Sequence, residues 1–179
     1  MAPTDAARPT RRDPVWLWLL AAALLVARVA TGVWEERHPP VHPNLVSWVP
    51  AENAVSIADQ SARPILYDFS AEWCGPCRTM EQEVFGDEKA AQQISRLVVP
   101  VHVVDRTRED GRNSALVDSL QRAYGVEAFP TLAIVWRGKL VDRKEGYPGA
   151  EPLIGWIRST AIKAHMGDAM RGPGGIGTH

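Results

Sequence analysis

The chain has 179 residues and a mass of 19.7 kDa, enough for one ordinary domain with an appendage and too little for two of full size. Hydrophobic residues make up 45% and charged residues 23%, which excludes a wholly disordered chain and a polytopic membrane protein. Lys and Arg number 20 against 21 Asp and Glu, a formal net charge of −1, so no field of one sign draws in a polyanion and no nucleic-acid partner is expected.

Residues 1–14 carry Arg8, Arg11 and Arg12 and precede an uncharged apolar run at 15–27. Continued past Arg28 to Trp34, the stretch makes about 30 Å of helix, enough to cross a bilayer core. Arg28 lies in its outer third, from which a long side chain reaches the headgroups, while Trp16, Trp18 and Trp34 suit the two interfaces. The excess of arginine before the run keeps 1–14 cytoplasmic and exports the remainder of the chain. The rival is a cleaved signal peptide, because the run also fits an h-region and Ala30-Thr31-Gly32 is a passable cleavage site. Segment 15–34 is therefore expected to be a transmembrane anchor or a signal sequence.

Prolines punctuate 35–50, which reads as a linker. A folded domain is expected over 51–164. Ala54, Val55, Ala58 and Ala62 give a short helical face, and 65–69 is a compact strand. A strand-to-helix turn then carries Cys74-Gly75-Pro76-Cys77, with Pro76 suited to the first turn of a helix over 76–94. A buried strand comes next at 101–104, opened by Pro100. The charged stretch 105–112 reads as a solvated loop, after which Asn113 caps a helix with Leu116, Val117, Leu120 and Tyr124 on one face and Gly125 at its end. Segments 131–136 and 140–144 form a hairpin around Arg137-Gly138-Lys139, and a helix over 152–164 closes the domain. The Gly-rich tail 165–179 has too little apolar surface to fold. This order implies an α/β protein whose mixed sheet is covered by helices on both faces.

Cys74 and Cys77 are the only cysteines in the chain. Three apart at a helix start, they share a face and lie within disulfide reach. Cys74 meets unpaired backbone N–H groups and the positive end of the helix dipole, which favour thiolate over thiol and make it an accessible nucleophile. Cys77, one turn in, is expected to be deeper and to act as the resolving thiol. Two other readings are a half zinc site completed by His38 and His42 and a structural disulfide. Against the first, those histidines stand among prolines; against the second, so short a loop restrains the unfolded chain little.

The stretch Tyr67-Asp68-Phe69-Ser70-Ala71-Glu72-Trp73-Cys74-Gly75-Pro76-Cys77-Arg78 resembles the active-site segment of the thioredoxin family. Val126-Glu127-Ala128-Phe129-Pro130-Thr131 is similar to that family's cis-proline segment, and Gly146 stands where a glycine loop borders the substrate groove. The similarity covers about 51–164. The separation of Cys77 from Pro130 and the Val84-Phe85-Gly86-Asp87 run resemble membrane-anchored periplasmic thioredoxin-like proteins and the carboxy-terminal domain of the bacterial thiol:disulfide interchange reductase.

The resemblance implies a thioredoxin fold, a mixed central sheet flanked by helices, behind one N-terminal transmembrane or signal helix. It also implies a protein-disulfide reductase with no metal and no cofactor beyond the redox-active Cys74–Cys77 pair. Cys74 would attack the substrate disulfide and Cys77 would resolve the mixed disulfide. Asp68 matches the family's buried carboxylate, which exchanges a proton with the resolving cysteine through water; burial, which penalises the charged form, suits that task. Trp73, Gly75, Pro76, Phe129, Pro130 and Gly146 would contact substrate, with Pro130 cis. Implied partners are protein disulfides and a membrane electron-donor protein, since the chain holds no second cysteine pair to supply electrons. The implied location is the bacterial inner membrane with the domain in the periplasm, or the soluble periplasm after cleavage. Ser70 stands where thioredoxins usually carry tryptophan, and Val101 where they carry a lysine near the buried aspartate. His102, among buried valines, reads as a sheet-face histidine. A client-binding or chaperone-like module without turnover is the alternative function.

Overall fold

The computed structural model describes residues 15–37 and 44–169. Residues 1–14, 38–43 and 170–179 lie outside the described residues, and with them the expected cytoplasmic N-terminus, His38, His42 and most of the tail. The chain divides into two compact units between Val41 and His42.

The first unit contributes helix α1, Val15–Arg37. Its segment Val15–Trp34 has a mean hydropathy of 1.8 with none of it buried, so Leu20, Leu24 and Val26 are exposed. By length and composition this helix is able to cross a membrane.

The second unit is built on strand β1, Ile65–Ala71, followed in the chain by β2, Val99–Asp105, β3, Thr131–Trp136, and β4, Lys139–Glu145. The sheet order is β2-β1-β3-β4, with β2 parallel to β1 and the other two pairings antiparallel. The helices are α2, Ala51–Ser61, α3, Gly75–Met80, α4, Glu88–Leu97, α5, Thr107–Asp110, α6, Ala115–Tyr124, and α7, Ala150–Ala169. Alternation along β1 sends Leu66 to one face and Tyr67 and Phe69 to the other. Leu66, Leu132 and Ile134 pack with Met80, Phe85, Ile94 and Ile157, whereas Tyr67, Phe69, Val101 and Val103 pack with Ala54, Ala58, Leu120 and Tyr124. Both faces are thus closed by helices, as the sequence implies.

Local chemistry explains where the elements depart from expectation. The helix expected over 76–94 is broken: α3 runs into a π-helical turn, Glu81–Phe85, and the chain restarts as α4. Asp87 enforces the restart, because its carboxylate accepts the Ala90 N–H at 2.8 Å as an N-cap. β1 extends to Ala71. Pro100 is the second residue of β2 and pairs opposite Leu66, tolerated because β2 is an edge strand.

Residues 44–50, read as the end of a linker, pack on the domain instead. Val46 is buried, Trp48 meets Phe85 edge-on at 4.9 Å, and the Leu45 and Val49 N–H groups donate to Phe85 and Pro100 carbonyls at 2.8 and 2.9 Å. The expected solvated loop 105–112 contains α5. Ser114, not Asn113, caps α6 by accepting the Val117 N–H at 3.3 Å, because Asn113 is drawn inward to Asp105. Arg137 and Gly138 make the hairpin turn, both at positive φ (49° and 72°). The last helix outruns the expected 152–164 at both ends.

Candidate active site

The end of β1 feeds a turn that α3 leaves with Cys74 as its N-cap. Cys74 has extended backbone, its Sγ accepts the Cys77 N–H at 3.2 Å, and Pro76 falls in the first helical turn, where a missing N–H costs nothing. Cys74 and Cys77 are joined in a disulfide with Cα atoms 5.3 Å apart. Both are buried, 3% and 1% exposed. The expected contrast between an accessible and a deeper sulfur is therefore absent in the oxidised form.

Aromatic side chains provide the cover. Phe129 packs against Ala71, Cys74 and Cys77, and Trp73 meets Phe129 edge-on at 5.9 Å. Over the Trp73 ring lies the Arg108 guanidinium, 3.7 Å from the centroid. The α5 segment is thus folded over the active-site turn. It is fastened by Arg106, which pairs with Glu72 and Asp110, and by the buried Asp105, which accepts from Thr107, Asn113 and Gln121. Charge composition alone gave no sign of this, because an Arg–Trp contact across 35 residues leaves no periodic trace.

The Phe129–Pro130 peptide is cis and Pro130 is buried. Gly146, at φ 74°, donates its N–H to the Pro130 carbonyl at 2.8 Å; that left-handed backbone suits glycine. Cys74, Cys77 and Phe129 therefore cluster directly, Trp73 joins through Phe129, and Gly146 is tied to Pro130. Gly75 and Pro76 are exposed on the turn.

Asp68 sits fully buried on the α3 face of the sheet, with its Oδ2 2.9 Å from His102 Nδ1 and its Oδ1 without any hydrogen-bond partner. His102 is its register partner in β2, while Val101 points into the opposite core. The position facing the aspartate is thus His102, a residue that its valine neighbours had marked only as a sheet-face histidine. Its Nε2 lies 3.3 Å from Ser70 Oγ. Burial works against the imidazolium, but the hydrogen bond and charge of Asp68, with the charge of Glu81, hold the His102 pKa above its ordinary value. Among the described residues no three His, Cys, Asp or Glu side chains are grouped to hold a metal ion.

Residues 51–161 match the thioredoxin-like domain family, and the chain belongs to that family. Over 106 residues it is 36% identical to the chloroplastic thioredoxin Y of Oryza sativa subsp. japonica, covering 58% of this chain and 54% of that protein. The chain spans about half the length of the chloroplastic relatives it matches. The solution structure of a thioredoxin from Thermus thermophilus superposes with a TM-score of 0.58 at 19% identity, over 74% of this chain and 99% of that one. The DsbH oxidoreductase superposes with a TM-score of 0.56 at 19% identity, over 69% and 89%. Family and fold together make residues 51–161 a thioredoxin-like domain that carries a CXXC-spaced disulfide.

Proposed function

We propose that the chain reduces disulfides of other proteins on the exported side of a membrane, with Cys74 attacking and Cys77 resolving. The observation that carries this reading is the Cys74–Cys77 disulfide at the start of α3, packed against Phe129 of the cis Phe129–Pro130 pair. In the dithiol form, the Cys77 N–H that now reaches Cys74 Sγ would stabilise a thiolate there.

The Cys74 thiolate attacks one sulfur of a substrate disulfide, forming a mixed disulfide and releasing the other substrate sulfur as a thiolate that takes a proton. Cys77 then gives its proton to Asp68 and attacks Cys74 Sγ. The mixed disulfide breaks, the second substrate sulfur leaves as a thiolate that takes a proton from water, the substrate departs as a dithiol with two added electrons, and the protein is left as the Cys74–Cys77 disulfide. Trp73, Gly75, Pro76, Phe129, Pro130 and Gly146 form the substrate rim on this reading, with the Phe129 backbone pairing to an extended substrate strand.

Regeneration needs two electrons from another dithiol. Cys74 and Cys77 being the chain's only cysteines, we assign that task to a membrane electron-donor protein, with α1 as anchor or signal holding the domain on the periplasmic side of a bacterial inner membrane. Residues 1–14 would then remain cytoplasmic. The Gly-Pro pair between the cysteines favours the reducing direction.

Prereduced full-length chain in detergent micelles should reduce insulin, Cys74→Ser should abolish this, and Cys77→Ser should accumulate mixed disulfides. Equilibration with glutathione fixes the direction: a potential near about −120 mV, that of a disulfide-inserting enzyme, overturns the reductase assignment.

A further inference from the structure

An open cleft of about 470 Å³ runs from the surface to His102, lined among others by Ser70, Glu72, Arg78, Glu81 and Arg106. Asp68 has no exposed surface, whereas the His102 side chain is 24% exposed. The histidine is therefore the contact between a sealed carboxyl group and water. One Asp68 oxygen is occupied by His102 Nδ1 and the other is orphaned in the interior, a costly state for a group with no further task.

We propose that His102 is a positioning residue for the resolving step, a counter-ion that releases a proton to the cleft when Asp68 receives one from Cys77 and takes a proton back when Asp68 gives it up. The proposal rests on the reading of Asp68 as the proton acceptor of Cys77. With His102 protonated, the pair is a carboxylate held by an imidazolium. A proton arriving on the orphan oxygen removes the negative partner, so the buried cation loses its support and gives up the Nε2 proton beside Ser70 to the cleft. One proton leaves Cys77 and one leaves His102, without water having to reach the carboxyl. The reverse exchange restores the pair when the disulfide is reduced again.

The surroundings match this task from every side. Asp68 and Ser70 face the ring from β1 and Glu81 from the π-helical turn, while Arg78 of α3 lines the same cleft and Glu72 and Arg106 pair with each other at its wall. The Trp48 indole lies beside the ring, with centroids 5.2 Å apart. Glu81 is itself shifted toward the neutral form, by burial first and by the Asp68 charge, with His102 and Arg78 opposing. Asp68, by hydrogen bond and charge, is therefore the main support of a protonated ring and Glu81 the lesser one, in the direction of the upward shift of His102. Its proton exchange is thereby moved above the ordinary histidine value of about 6.5.

The test uses the full-length chain in detergent micelles. Prereduced protein is mixed with a disulfide-bonded peptide, and decay of the mixed disulfide is followed by stopped-flow from pH 5.5 to 9. In the wild type, resolution should accelerate severalfold as His102 loses its proton, because a carboxylate no longer held by a cation is the better proton acceptor. His102→Gln should lose that inflection and stay near the upper plateau, with peptide affinity unchanged. A His102→Gln profile identical to wild type overturns the inference while leaving the proposed function intact, whereas a wild type that never exchanges overturns both. As a readout that needs no variant, the His102 ring resonances are titrated in both redox states. Different midpoints support the coupling and equal midpoints overturn it.

Discussion

Asp105 fastens the α5 segment, and neutralising it measures how much the cover over the cysteines depends on one carboxylate. Its Oδ2 accepts from Asn113 Nδ2 at 2.6 Å, Gln121 Nε2 at 2.9 Å and Thr107 Oγ1 at 3.3 Å, and its Oδ1 accepts the Thr107 N–H at 3.0 Å. Asp105→Asn keeps the shape but sets an NH₂ group against inward-pointing donors. At least two charge-assisted bonds are lost, worth about 1.5–3 kcal/mol each before water partly replaces them, so the expected cost is about 2–4 kcal/mol. For a domain of this size that lowers Tm by roughly 10 °C. The pH dependence fixes the sign. Burial pushes the Asp105 carboxyl upward, but the bonds from Gln121, Asn113 and Thr107 outweigh it and hold the folded value below the ordinary one. The stabilisation is therefore complete above the unfolded value of about 3.9 and is lost as pH falls through the lower folded value. Urea titrations of wild type and Asp105→Asn should show a constant gap from pH 8 to 5 that closes below about pH 4. A gap under about 1 kcal/mol at pH 7, or one of full size at pH 3, refutes the assignment of Asp105 as the charged hub.

Arg108→Ala removes the cation from the Trp73 ring, worth about 0.5–1 kcal/mol at an exposed site, so the Cys74–Cys77 disulfide should react with dithiothreitol about two- to fivefold faster. An unchanged rate would mean that Phe129 and Trp73 provide the cover alone. Alkaline carbonate extraction of cell membranes should leave the full chain in the pellet and release a chain begun at residue 42. Recovery of the full chain as a soluble, shortened product would instead establish cleavage near Ala30-Thr31-Gly32.

What was legible in the sequence was local. A cysteine at a helix start, a proline one position inside it, the turn residues Arg137-Gly138 and the alternation of β1 are each written within a few residues, and each appears in the fold. The break after Phe85 was also local but was outweighed by apolar spacing that ran through it; the Asp87 cap decided the matter. The contacts between distant segments were not legible. The Asp68–His102 pair depends on the register of β1 against β2, and a shift of one residue would have set Val101 opposite the aspartate instead. The polarity of position 102 was the available clue. A histidine between buried valines on a strand must face something on the other side of the sheet, and Asp68 was the one acidic residue inside the neighbouring apolar strand. Since a buried carboxyl group seeks a hydrogen-bond donor, the two strands could have been aligned on that pair before either was seen in three dimensions. The same reasoning does not reach Arg108, whose place over Trp73 is set by Asp105, Arg106 and Asn113 acting together across a turn.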